Sequence, residues 1–209
     1  MSYSLDEFSD LLARSHALAI ELEVGFSLPP YELQARYDVC QIAASLAVGH
    51  GAAVRALLPE GLGPSAAVVL RSQYEATLRS VWLCYCADED STRVFTTDLS
   101  TEDAGIDKAL PQAAAMLTAL EGKAPAAVVV SFANFRTQSW AALNSFVHAG
   151  LHPIKRHEKG LPLSLARDLL RSSNGLCVIA SMQAAVATGS QDLVSAVRRA
   201  QEKFSDCCP

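Results

Sequence analysis

The sequence predicts an all-α fold, a single-domain bundle of about seven helices, and three observations carry that expectation. Half of the residues are hydrophobic but only 7% are aromatic. Much of that half is alanine, in runs such as QAAAMLTAL and SMQAAVA, and alanine is the best helix former because it loses no side-chain entropy. Long segments with helical apolar spacing are separated by short turns rich in Gly and Pro, such as EGLGP and EGKAP, as in an up-and-down bundle. At 209 residues the chain suits one domain, 1–209. A chain of this size buries roughly 70% of its unfolded surface, so its core needs neither a disulfide nor a metal.

Taken in order, Ser4 and Glu7 form a capping box ahead of FSDLLARSHALAIELEV, where Leu11, Leu12, Leu18 and Leu22 recur in helical period. Gly25 and Pro29-Pro30 end that helix. A second helix is expected from near Tyr31 through YDVCQIAASLAVGHGAAVRALL, kinked at Gly49-His50-Gly51 because glycine is a poor interior helix residue. Pro64 opens a third from Ser65 to about Cys86. A short helix or loop covers 92–99, the polar STEDAGID follows, and Lys108–Leu120 is helical with Pro111 in its first turn. AAVVVSFANF has the β-branched run of a strand. A lone strand has nothing to pair with in a helical chain, so the segment reads as a helix continuing through Trp140 to His148. HAGLHPIKRHEKGLP reads as a loop, 162–188 as a long helix, and Ser190 as the cap of a last helix to about Phe204. The core is expected over 31–188, with 1–25 and 190–204 as flanking helices.

The net charge is −5 and no Lys/Arg block exceeds IKRH. A protein that grips many nucleic-acid phosphates usually carries a basic stripe, so general DNA binding is not expected. MSYSLDEFSD has neither the basic nor the apolar region of a secretion signal. Cys40, Cys84, Cys86, Cys177, Cys207 and Cys208 therefore read as reduced thiols of a cytoplasmic protein. The pairs Cys84/Cys86 and Cys207/Cys208 match no zinc spacing. No apolar run reaches the ~20 residues of a membrane span. HExxH and ExxH pairs, a nucleophile elbow and a phosphate-cradling Gly loop are all missing from the sequence, so no metal or cofactor is expected.

Two sets of polar residues stand out. In SAAVVLRSQYEATLRSVWLCYC, Arg71, Glu75 and Arg79 follow at i, i+4, i+8 within a helix apolar on almost every face. Either the stripe is solvated, or its charges are buried and must be paired. In SWAALNSFVHAG, Trp140, Asn144 and His148 share a helix face. Asn is a poor mid-helix residue because its amide competes for backbone bonds. His148 falls in the last turn, where a cation complements the helix dipole and Gly150 reads as the left-handed cap. The pattern of His148, His152 and His157 does not suit a metal, because Gly150 and Pro153 interrupt the i, i+4 spacing.

Together RSQYEATLRSVWL and WAALNSFVHAG resemble the HEPN-like helical-bundle proteins of bacteria. The closer likeness is to the uncharacterised and AbiV-like abortive-infection branches, in which an R-x-x-x-E helix precedes a Y/W-x-x-x-S/N-x-x-x-H helix. The resemblance covers roughly 63–153 and implies a HEPN-like core with additional helices. It also implies a homodimer of the toxin or phage-defence type, with RNA or a cognate protein as partner and no membrane. Many such proteins are metal-independent ribonucleases with an Arg-Asn-x-x-x-His site at a dimer interface, where His takes the 2′-OH proton and Arg stabilises the phosphorane. Asn144 and His148 match that pattern, but Leu143 stands where the arginine belongs. The resemblance therefore implies an interaction or regulatory dimer in preference to an efficient nuclease. The ribonuclease alternative has His148 as base, Asn144 as orienter, Arg71 (or Arg136) as phosphate contact and Glu75 holding Arg71. A third reading is a small-ligand site between the third helix and the Trp140 helix.

Overall fold

The structure is a computed structural model that describes residues 4–32, 34–97 and 110–209. The described residues form nine α-helices, α1 (Leu5–Leu22), α2 (Ala35–Leu57), α3 (Gly63–Tyr85), α4 (Glu89–Thr96), α5 (Ala113–Leu120), α6 (Ala126–Val147), α7 (Leu151–Lys159), α8 (Leu163–Ala187) and α9 (Gln191–Lys203), with 3-10 turns at Glu23–Phe26 and Ser205–Cys207. They make one helical bundle without strands among the described residues. None of the described helices is long and apolar enough to cross a membrane.

Local chemistry sets most boundaries where the sequence places them. The Ser4–Glu7 capping box is closed in both directions, Glu7 N–H donating to Ser4 Oγ at 3.2 Å and Ser4 N–H to Glu7 Oε2 at 2.7 Å. Ser190 Oγ accepts from Leu193 N–H at the start of α9. The valine run 128–130 lies inside α6. Several expectations are corrected. The second helix begins at Ala35, not Tyr31, and runs unbroken through Gly49 and Gly51. The segment read as a loop after His148 contains α7. The left-handed residue there is Ala149, at φ 50°, whereas Gly150 is extended at φ −74° and ψ −158°. STEDAGID and 108–109 lie outside the described residues, and the rest of the expected 108–120 helix is shorter than read: 110–112 are not helical, and α5 starts at Ala113 with Pro111 ahead of it.

The centre of the bundle is the trio α2, α3 and α8. Helices α2 and α3 form an αα-hairpin about the Leu58–Leu62 turn and share the most extensive contact in the molecule. Helix α8 packs across both, and α1 and α9 pack against α8 on the far side. Helices α5 and α6 cover the remaining face of α3, which explains why α3 buries thirteen of its residues. Gly51 lets α2 approach α8: a Cβ there would lie 2.3 Å from Cys177 Sγ and 2.9 Å from Gln73 Nε2. At that crossing the buried polar groups are mutually satisfied. Ser173 Oγ donates to Gln73 Oε1 at 2.7 Å, and Gln73 Nε2 donates to Ser173 O at 3.0 Å. At the next residue of α8, Asn174 Nδ2 donates to Ser15 Oγ at 2.7 Å and to Cys207 O at 3.0 Å, tying α1 and the C-terminus to α8.

Candidate functional site

The sequence-predicted residues meet at the α3–α6 contact. Between the two helices the interior is filled by rings. Tyr74 stacks on Phe135 with centroids 4.7 Å apart and meets Phe132 and Trp140 edge-on, each at 5.6 Å. Its hydroxyl donates to Phe132 O at 3.2 Å, and burial pushes the phenol up to about 12. At the solvent edge of this cluster, Arg71 lies flat against Trp140, its guanidinium carbon 3.4 Å from the ring centroid. Arg71 Nε donates to Asn144 Oδ1 at 3.2 Å, joining the two stripes seen in the sequence. Arg71 Nη1 lies 2.7 Å from Glu75 Oε1. That contact is ionic, because its N–H directions miss hydrogen-bond alignment with the carboxylate. The Arg71 side chain is 14% exposed and that of Glu75 40%. The stripe is thus neither fully solvated nor buried: it is a clamped arginine at the rim of an aromatic core.

Asn144 accordingly has the reason its mid-helix position asks for, since its amide oxygen turns outward to the guanidinium. His148 does not join the cluster. It caps the C-terminus of α6, its backbone N–H donating to Asn144 O at 3.1 Å, and its exposed side chain makes no hydrogen bond, ion pair or ring contact among the described residues. Leu143, which occupies the resemblance's arginine position, is 3% exposed and packs into the core. Arg79, the third member of the first stripe, points elsewhere and donates to Pro111 O at 3.2 Å, over the Phe95 ring.

One member of the site needed the fold to be seen. Arg136 lies 5.0 Å from the Trp140 centroid, so two guanidinium groups rest on one indole. Glu75 neutralises the first, while the second has no carboxylate partner among the described residues. The surrounding sequence reinforces that balance: from Glu121 to Glu158 no carboxylate side chain intervenes, whereas Lys123, Arg136, Lys155 and Arg156 do. Helix α7 adds to it, because all its basic residues lie on a short helix that buries none of its side chains. The described residues contain no group of three or more His, Cys, Asp or Glu that could hold a metal ion. Arg71 Nη2 makes no protein hydrogen bond among the described residues and is the donor left over for a ligand oxygen.

Fold and site together define a class of protein: an all-α bundle with an arginine held by a carboxylate, an amide and an indole at the seam of two helices. Residues 44–209 match the model of a family of unknown function, DUF6988, and the chain belongs to that family. The match includes α3, α6 and every residue of the cluster. No curated protein matches the chain, and no solved structure does.

Proposed function

We propose that the chain is a HEPN-like cytoplasmic protein of the toxin or phage-defence type, which works as a binding and regulatory module and is not an efficient ribonuclease. The observation that supports this reading is the state of Arg71. A catalytic arginine must be free to follow charge as it develops on a phosphorane. Arg71 is instead neutralised by Glu75, bonded to Asn144 and stacked on Trp140, and the imidazole of His148 is not in contact with it. A general base and its electrophilic partner need a common reacting atom about 3 Å from each, and the cluster supplies half of that pair. What remains is suited to recognition. A rigid cation with a spare Nη2 group, a second cation on the same ring and an exposed histidine one turn away offer fixed donors to an oxygen-rich group on RNA or on a partner protein.

The test is a metal-free cleavage assay with a pool of short RNAs, run on the wild type, His148→Ala and Arg71→Ala. The binding reading expects no cleavage above background by any of the three. Cleavage by the wild type that is lost in both variants overturns it in favour of the ribonuclease built on His148 and Arg71.

A further inference from the structure

The six free thiols take no part in the Arg71 cluster, and two of them face each other across the α2–α3 seam. The register of that seam is fixed by Gly51, whose Cβ position lies 2.9 Å from Gln73 Nε2. Antiparallel helices carry such a pairing along in steps of three and four residues. From Gly51 with Gln73, these steps set Ala47 against Thr77, then Ala44 against Ser80, and finally Cys40 against Cys84. Every one of these residues is buried, Cys40 at 0% and Cys84 at 7% exposure. The distance between helix axes is set by the side chains at the contact. A seam of glycine, alanine, serine and threonine holds them close, which is the condition for a disulfide, whose Cα atoms stand roughly 4.4–6.8 Å apart.

The groups around the pair are those of a reactive thiol. Gln183 on α8 is 5% exposed, and its Nε2 has no well-formed hydrogen bond among the described residues. What this amide faces is the two sulfurs and the Tyr85 hydroxyl. A buried donor without an oxygen to meet is costly, and a thiolate is an acceptor that would satisfy it. Arg36, one turn before Cys40, also has a buried Nε without a hydrogen bond. The Cys40 thiol shares a hydrogen bond with Cys84 and is pushed above its ordinary value of 9.0, with burial adding to the rise. The same hydrogen bond brings Cys84 below 9.0 against the opposing effect of burial, and the Arg36 charge helps. Access comes from a cavity of about 520 Å³ between the start of α2 and α4. Its lining includes Arg36 and Ala87, so solvent reaches to within a turn of each cysteine.

We propose that Cys40 and Cys84 are a peroxide-sensitive modification site, oxidised reversibly to a disulfide that ties α2 to α3, with the Gln183 amide positioning the attacking sulfur. The Cys84 thiolate attacks one oxygen of hydrogen peroxide; an S–O bond forms, the O–O bond breaks, and the departing hydroxide takes up a proton as water. Cys84 is then a sulfenic acid. The Cys40 sulfur attacks the Cys84 sulfur, the S–S bond forms and the S–O bond breaks, and hydroxide leaves with the Cys40 proton as a second water. Two thiols have lost two electrons and one peroxide has gained them. A dithiol reverses the change by exchange, as suits a transient disulfide in a reducing compartment. The bond closes the hairpin at the end opposite its Leu58–Leu62 turn, and so restrains the unfolded chain.

The experiment treats the reduced, folded full chain with hydrogen peroxide, blocks the remaining thiols by alkylation and maps the products by peptide mass spectrometry. The expected product is a disulfide between the Cys40 and Cys84 peptides. Dithiothreitol removes it, and the oxidised chain melts at a higher temperature than the reduced one. Cys40→Ala stops at the sulfenic acid, so dimedone labels Cys84 and the gain in melting temperature is lost. Gln183→Met keeps the bulk and removes the donor. It slows oxidation at neutral pH about tenfold, the loss of one hydrogen bond to a charged group, and moves the pH profile of the rate upward. Cys40 and Cys84 that stay reduced until the chain is unfolded in urea overturn the proposal. So does peroxide that joins Cys84 to Cys86, or Cys207 to Cys208, in place of Cys40 to Cys84. A rate and pH profile unchanged in Gln183→Met overturn the part given to the amide. The wild-type product decides the main point even if a variant folds poorly. None of these outcomes depends on Arg71 or His148, so the thiol pair and the proposed function fail separately.

Discussion

The α2–α3 hairpin has two polar sides that are built differently. Toward α8, Gln73 and Ser173 exchange hydrogen bonds in complete burial, with no solvent reaching them. Toward α6, two residues earlier on α3, Arg71 gathers a carboxylate, an amide and an indole at a solvent-facing rim. The Gln73–Ser173 pair has its donors matched to acceptors inside the chain, which is how a polar group fixes helix register without an unmet cost. The rim side holds a charge it does not need for register and leaves its Nη2 group without a protein hydrogen bond. The contrast separates a device that holds the bundle together from one that has capacity to bind.

The difference is most easily broken at Gln73. Gln73→Ala leaves a cavity and strands the Ser173 hydroxyl in an apolar seam. The expected loss is about 3 kcal/mol, combining cavity and unsatisfied-group costs, read as a lower urea midpoint with unchanged slope. A loss well below 1 kcal/mol would mean the α3–α8 seam repacks freely and is not the rigid side.

Arg71→Lys tests the rim side and is expected to cost about 1 kcal/mol. Lysine keeps the charge near Glu75 but loses the Nε–H bond to Asn144 and the flat contact with Trp140. The Glu75 carboxylate is 40% exposed and is left to water rather than stranded. If Arg71→Lys proves as damaging as Gln73→Ala, the rim is structural like the seam, and its claim to recognition fails.

What could be read in advance divides along the same line. The helix count came close, and the Ser4–Glu7 box, the Ser190 cap and α8 were legible, because each is set by residues a turn apart. Arg71, Glu75, Asn144 and Trp140 were legible as two stripes; that one stripe would meet the other through Arg71 Nε depended on how α3 and α6 pack. His148 was legible as a residue at the end of its helix, and it sits there as the C-cap of α6, with no hydrogen bond to the cluster's side chains. Gln73 was not visible: one glutamine off the charged stripe reads as surface until α8 is laid over it. Arg136 could be named as a spare charge but not placed on the indole. Helix α7 was hidden because Pro153 reads as a breaker. It occupies the third helical position, in the first turn, where a missing N–H costs nothing. The turn before it uses Ala149 where glycine would be expected, so the usual left-handed signal was displaced by one residue.

The smallest expected effect lies on the solvent side of the hairpin, at His50, which shares its groove with Glu75 and Arg79. Burial holds the His50 imidazole below its ordinary value of 6.5. The unfolded chain therefore takes up the proton first, and stability must fall as pH drops below 6.5 toward the lower folded value. The carboxylates act in a different window. The Arg14 guanidinium holds Asp206 below its ordinary value of 3.8, and the Ser91 contacts do the same for Asp88. Their stabilisation is complete above 3.8 and is lost only as pH falls through still lower folded values. Thermal midpoints measured on both sides of the histidine window should thus show a slight decline with acidification in the wild type and a flatter profile in His50→Gln. An identical slope in both proteins would mean that this side of the hairpin stays as wet as any other surface, and the contrast with the sealed α8 side would then be complete.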